Sequence, residues 1–75
     1  MNAQRRAKAN GVMQSLETAL TSIELLIDAE QSALEGIPEN MQSRVERGEN
    51  TLSDLEDAKS SVEDAIRQLD AAVDR

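Results

Sequence analysis

The chain has no aromatic residue, no cysteine and no histidine among its 75 positions, and it carries one proline and three glycines. Without aromatics, any core is built from Leu, Ile, Val, Met and Ala, and nothing offers a stacking platform for nucleic-acid bases. Without cysteine there is no disulfide, no thiol nucleophile and no thiolate metal site. Without histidine there is no imidazole for acid–base work or metal binding. A cysteine-free small domain suits a reducing compartment. No run of about 18 apolar residues occurs, so no segment is expected to span a bilayer. The basic residues near the start precede no apolar stretch of the secretory kind, because Val12–Leu34 is broken by Glu, Gln, Ser, Thr and Asp. A cytoplasmic location with no membrane partner is the expectation.

What is abundant is negative charge. Residues 1–11 hold Arg5, Arg6 and Lys8 and no acid, whereas residues 12–75 hold fifteen acids against five bases, a net of −10. Such a body repels phosphate, which argues against direct nucleic-acid binding, and it attracts a basic protein surface. The plainer reading is that acidic helix faces keep a small protein in solution. The basic segment 1–11 has little to bury and contains Asn10-Gly11, a costly pair inside a helix. It is expected to form a frayed or extended arm ahead of a single domain spanning 12–75.

That domain is written in rows seven residues apart. Before Gly36 they are Val12/Ala19/Leu26/Ala33, Leu16/Ile23 and Met13/Leu20/Ile27/Leu34; after Pro38 they are Leu52/Ile66/Val73, Leu55/Val62/Leu69 and Ala58/Ala65/Ala72. Seven residues are nearly two helical turns, so each set forms one stripe on a helix. The fold expected is all-α: an antiparallel two-helix hairpin with a helix over about 12–35, a linker at 36–43 and a helix over about 44–74. Leu16 and Ile23 are expected on the centre line of the first stripe, and Leu55, Val62 and Leu69 on that of the second. Leu20, Ile27, Leu34, Leu52 and Ile66 complete the expected core or interface. Met13, Leu20, Ile27 and Leu34 are expected to face the small Ala58, Ala65 and Ala72, allowing close helix approach. Leu25 falls outside the stripe.

The turn is expected at Gly36, Ile37, Pro38, Glu39 and Asn40. Gly36 is placed to end the first helix in a left-handed conformation, Ile37 to fold back over its last turn, and Pro38 to prevent its continuation. Two starts fit the second helix. Ser43-Arg44-Val45-Glu46 has the pattern of a reciprocal cap between Ser43 and Glu46, and Asn50-Thr51 offers a later start. The earlier start is favoured because it puts Val45, Gly48, Leu52 and Leu55 on one stripe, with Gly48 permitting close backbone approach. Two polar residues interrupt the rows. Glu30 lies in the Leu16/Ile23 row and Lys59 between Leu52 and Ile66. With a turn near residue 40, Glu30 falls opposite about residue 50 and Lys59 opposite about residue 21, so they do not pair with each other. Each either fixes register against a partner, Glu30 through Arg47, Asn50 or a second copy, or lies in a wet margin.

Carboxylates are the only plentiful reactive groups. Glu24/Asp28, Asp54/Asp57, Glu56/Glu63 and Asp57/Asp64 share helix faces, and Asp54, Asp57, Glu63 and Asp64 form the expected acidic surface. Hard-cation binding or acid–base chemistry needs such groups to converge in a cleft, which a hairpin lacks. The carboxylate-bridged metal bundles use Glu-x-x-His, which is absent here. There is no phosphate loop or calcium loop. The expectation is a non-enzymatic chain without cofactor or metal. Stripes this wide exceed what two helices bury on each other, so the hairpin is expected to dimerise into a four-helix bundle.

The linker Ile37-Pro38-Glu39-Asn40-Met41-Gln42, followed by Ser43, Glu46 and an Ala/Leu/acid-rich helix, resembles a group of short bacterial and bacteriophage proteins. That group shares an Ile/Leu-Pro-Glu-Asn-Leu/Met-Gln core between two long helices. The resemblance spans roughly residues 16–73 and implies a helical hairpin in a mobile-element setting, within the host cytoplasm if phage-encoded, but no activity. The chain departs from the group in having Val45 and Arg47 where a Tyr is frequent. Two functions follow as expectations. One is an accessory protein that binds or inhibits a host protein through a basic surface, as an anti-defence inhibitor of the anti-CRISPR type would by imitating nucleic-acid charge. The other is a self-assembling structural protein whose only partner is itself.

Overall fold

In a computed structural model describing all 75 residues, the chain forms two helices, α1 (Ala3–Glu35) and α2 (Gln42–Val73), packed as a hairpin measuring 58 × 15 × 11 Å. Neither helix is long and apolar enough to cross a membrane. The antiparallel register is set by three cross-helix contacts. Leu34 packs on Gly48, Lys59 Nζ lies 3.9 Å from Glu24 Oε2, and Arg6 Nε donates to the Val73 carbonyl at 3.0 Å. Gly48 is needed where it stands: a Cβ there would meet Leu34 Cδ1 at 2.8 Å.

The first helix begins at Ala3, not near Val12, so residues 3–11 are its opening turns and not an extended arm. Asn2 caps it, its side-chain oxygen accepting from the Arg5 amide at 2.8 Å. Ala9 is among the most buried residues of the molecule, 8% exposed, and continues the Leu16/Ile23/Glu30 row back by seven. Gly11 lies inside the helix with open space where a Cβ would be.

The turn departs from expectation at two places. Gly36 is right-handed (φ −82°, ψ −5°), and no residue has positive φ. Its amide and that of Ile37 bond to the Ala33 and Leu34 carbonyls at 3.2 and 3.1 Å, tightening the last turn of α1 without reversing it. Pro38, which disfavours helical geometry at Ile37, then takes the chain out of the helix. The Met41 amide bonds to the Pro38 carbonyl, closing a turn through Glu39 and Asn40. Ile37 is half-buried, as expected of a residue folded back on the apolar seam. The second correction concerns the cap. The Met41 carbonyl accepts from the Arg44 and Val45 amides at 3.1 Å, so α2 starts at Gln42 with Met41 as its cap and no side chain capping the backbone amides. Ser43 and Glu46 therefore sit within the first turns, and the reciprocal cap between them does not form.

The seam runs between two rows on each helix. On α1 these are Ala9/Leu16/Ile23/Glu30 and Met13/Leu20/Ile27/Leu34; on α2 they are Val45/Leu52/Lys59/Ile66/Val73 and Gly48/Leu55/Val62/Leu69. All are half-buried or buried, with Ile27 at 9%. The row Val12/Ala19/Leu26/Ala33 is exposed throughout, Val12 at 50% and Leu26 at 52%. Ala58 is exposed and Ala65 and Ala72 are half-buried, so the alanine row flanks the seam and does not line it opposite Met13/Leu20/Ile27/Leu34.

Candidate functional site

The hairpin has two unlike broad faces. Helical geometry of about 100° per residue, with the antiparallel register above, assigns each row to one of them. On one side of the seam lie Val12, Ala19, Leu26 and Ala33 of α1 and Thr51, Ala58, Ala65 and Ala72 of α2. On the other lie Glu17 and Glu24 of α1 and Glu49, Glu56, Glu63 and Asp70 of α2. Side-chain contacts agree with this assignment. Lys59 reaches Glu24 on the acidic side, while Glu30, Arg44, Arg47 and Thr51 line one concavity of about 260 Å³ on the apolar side. Of the fifteen acids, only Glu30 and Asp54 fall on the apolar side, Glu30 in the seam at the turn end and Asp54 at the outer edge.

Of the four acids expected to form one surface, Asp57 and Asp64 stand in one row on the outer side of α2 with Asp54 beside them, all three exposed, while the half-buried Glu63 lies about a third of a turn away. Asp64 is paired with Arg67 on its own helix. A second acidic array, assembled across the two helices, is the Glu56/Glu63/Asp70 row beside Glu17 and Glu24. Sequence reasoning missed this grouping because it crosses helices; the seven-residue spacing of Glu49, Glu56, Glu63 and Asp70 was the available signal. No group of three or more acidic side chains converges in metal-binding geometry.

Of the two register candidates, Lys59 meets Glu24, three residues from the position expected opposite it. The pair is loose and partly exposed, and a surface pair of this kind contributes about 0–1 kcal/mol. Glu30 faces the Arg44 and Arg47 side of α2 but forms neither of the molecule's two ion pairs. At the turn end, on the acidic side, Leu34, Ile37 and Val45 floor an open concavity of about 510 Å³ rimmed by Glu35, Glu39 and Glu46. A shallow site of that shape can accept an apolar side chain beside a cationic one.

Comparison with protein-family models, with curated proteins and with solved structures finds no match to this chain.

Proposed function

We propose that the chain is a non-catalytic protein-binding module: hairpins pair into a four-helix bundle, and the outward acidic face engages a basic surface on another protein. The partition of charge between the two faces carries this reading. If the acids served only solubility they would serve it equally well scattered, whereas Glu17, Glu24, Glu56, Glu63 and Asp70 share one side of the hairpin. A one-signed surface raises association rates and gives binding that weakens with salt. The absence of His and Cys supports a role without catalysis. The resemblance at Ile37–Gln42 supports a mobile-element accessory role in the host cytoplasm, for which an anti-defence inhibitor that imitates nucleic-acid charge is one form.

The test reverses Glu56, Glu63 and Asp70 to Lys together and compares the variant with the unaltered chain as bait in a bacterial lysate at low salt. A partner retained by the unaltered chain, lost with the variant and lost at high salt is the expected result. No retained protein, or the same proteins retained by both, overturns the acidic-face reading. The apolar face favours a second reading, self-assembly with no other partner, which predicts that the reversed variant keeps its oligomeric state and that neither bait retains anything.

A further inference from the structure

We infer that the face carrying Val12, Ala19, Leu26 and Ala33 with Ala58 and Ala65 is the surface on which a second copy of this chain docks. The inference rests on the pairing proposed above and assigns it to one of the two faces. Its first ground is area. The hairpin exposes 5590 Å², against about 4,500 Å² for a compact monomer of its mass. The surplus of about 1,000 Å² is close to what one partner contributes to a stable interface, about 800 Å². Only two residues, Ala9 and Ile27, are buried in the single hairpin.

Charge is the second ground. With every acid but Glu30 and Asp54 directed elsewhere, two copies of a strongly acidic chain meet on this face without setting their acidic rows against each other. The face's cations, Arg5 at the open end and Arg44 and Arg47 beside Glu30 at the turn end, lie outside the central Ala19/Leu26/Ala58/Ala65 patch. The opposite face would set Glu17, Glu24, Glu56, Glu63 and Asp70 against themselves. The same distribution disfavours a basic partner here, since the attracting charges lie on the other side.

Desolvation is the third. Three of the hydroxyls on or beside this face are already satisfied within their own helices. Ser15 Oγ donates to the Gly11 carbonyl at 3.2 Å, Ser22 Oγ to Thr18 at 3.3 Å and Thr51 Oγ1 to Arg47 at 2.9 Å. Covering these three strands no donor. The face is also complementary to itself in size. Leu26 lies near the level of Ala58 of the second copy when α1 lies antiparallel over the copy's α2, which seats a large residue on alanine.

Because the affected positions are exposed in the single hairpin, the test can separate the face from the fold. Sedimentation equilibrium is run on the unaltered chain, on Leu26→Glu with Ala58→Glu, and on Leu25→Glu, whose site is 65% exposed on the far side. The unaltered chain and Leu25→Glu are expected at twice 8.2 kDa, and the double variant at 8.2 kDa. If circular dichroism shows the double variant unfolded, the cysteine-free background supplies a second readout. Iodoacetamide is expected to modify Ala19→Cys about tenfold more slowly than Leu25→Cys in the paired protein. A dimer that survives the double substitution, or equal alkylation at the two sites, overturns this face and leaves the pairing intact. An unaltered chain that sediments as a monomer overturns both.

Discussion

Gly11 and Gly48 are both interior to helices, yet their surroundings assign them opposite roles. Nothing lies within 4 Å of a Cβ built on Gly11, whereas one on Gly48 would stand 2.8 Å from Leu34 Cδ1. Alanine relieves the helix of the glycine's backbone entropy, a gain of about 1 kcal/mol. Gly11→Ala is therefore expected to stabilise the hairpin by about that amount. Gly48→Ala is expected to lose most or all of the gain, since Leu34 must leave its position. Urea unfolding of the two variants at one protein concentration checks this, and equal stabilisation would show that Leu34 repacks freely. Gly48 as a point of close approach was legible in the sequence, because it falls at the start of the Leu55/Val62/Leu69 row where a glycine has no other use. Lys59 was legible as an intruder in the seam. Its partner Glu24 was not, because a shift of three residues between facing helices lies below what a turn position defines.

Each helix owes its bounds to groups that periodicity does not see. Ala3, Ala7 and Ala9 weigh little as apolar residues, so the segment before Val12 reads as a tail. In the fold, Asn2 supplies the cap and Ala9 extends the Ala9/Leu16/Ile23/Glu30 row against the end of α2. The seven-residue step from Leu16 to Ala9 was present in the sequence but is weak evidence when the residue is alanine. At the other boundary, Ser43 and Glu46 matched a capping pattern that Met41 pre-empts from two residues upstream. The two helix starts thus differ in quality, one capped by a side chain and one not. Asn2→Ala is expected to destabilise by about 1 kcal/mol, and Met41→Ser to stabilise by a similar amount by supplying an acceptor at an empty cap. Thermal unfolding of both variants followed by circular dichroism tests the pair. A neutral Met41→Ser would mean that the bend through Glu39 and Asn40 holds position 41 out of capping geometry.

The whole molecule is a pair of helices too thin to have an interior. Seven-residue rows predicted that each helix carries more apolar surface than its neighbour can cover. They did not predict which row is left out, since that depends on how far each helix is rotated about its axis. Packing settles it by placing Ile27 and Leu34 in the seam, which turns Leu26 and Val12 outward. The same rotation sends the acids to the opposite side, so one geometric choice creates both faces. If a second copy covers the apolar face, folding and pairing are linked, and the unfolding midpoint must rise with protein concentration. Salt adds a separate signature. Screening the repulsion within Glu17, Glu24, Glu56, Glu63 and Asp70 stabilises the paired protein, whereas the same screening weakens capture of a basic partner by that face. Unfolding scans across a hundredfold range of protein concentration, at low and at physiological salt, are therefore expected to show midpoints that increase along both axes. A midpoint independent of concentration would mean that the hairpin is stable alone with Leu26 and Val12 in water. A midpoint that falls with salt would mean that cross-helix attractions such as Lys59–Glu24 outweigh the repulsion among the acids.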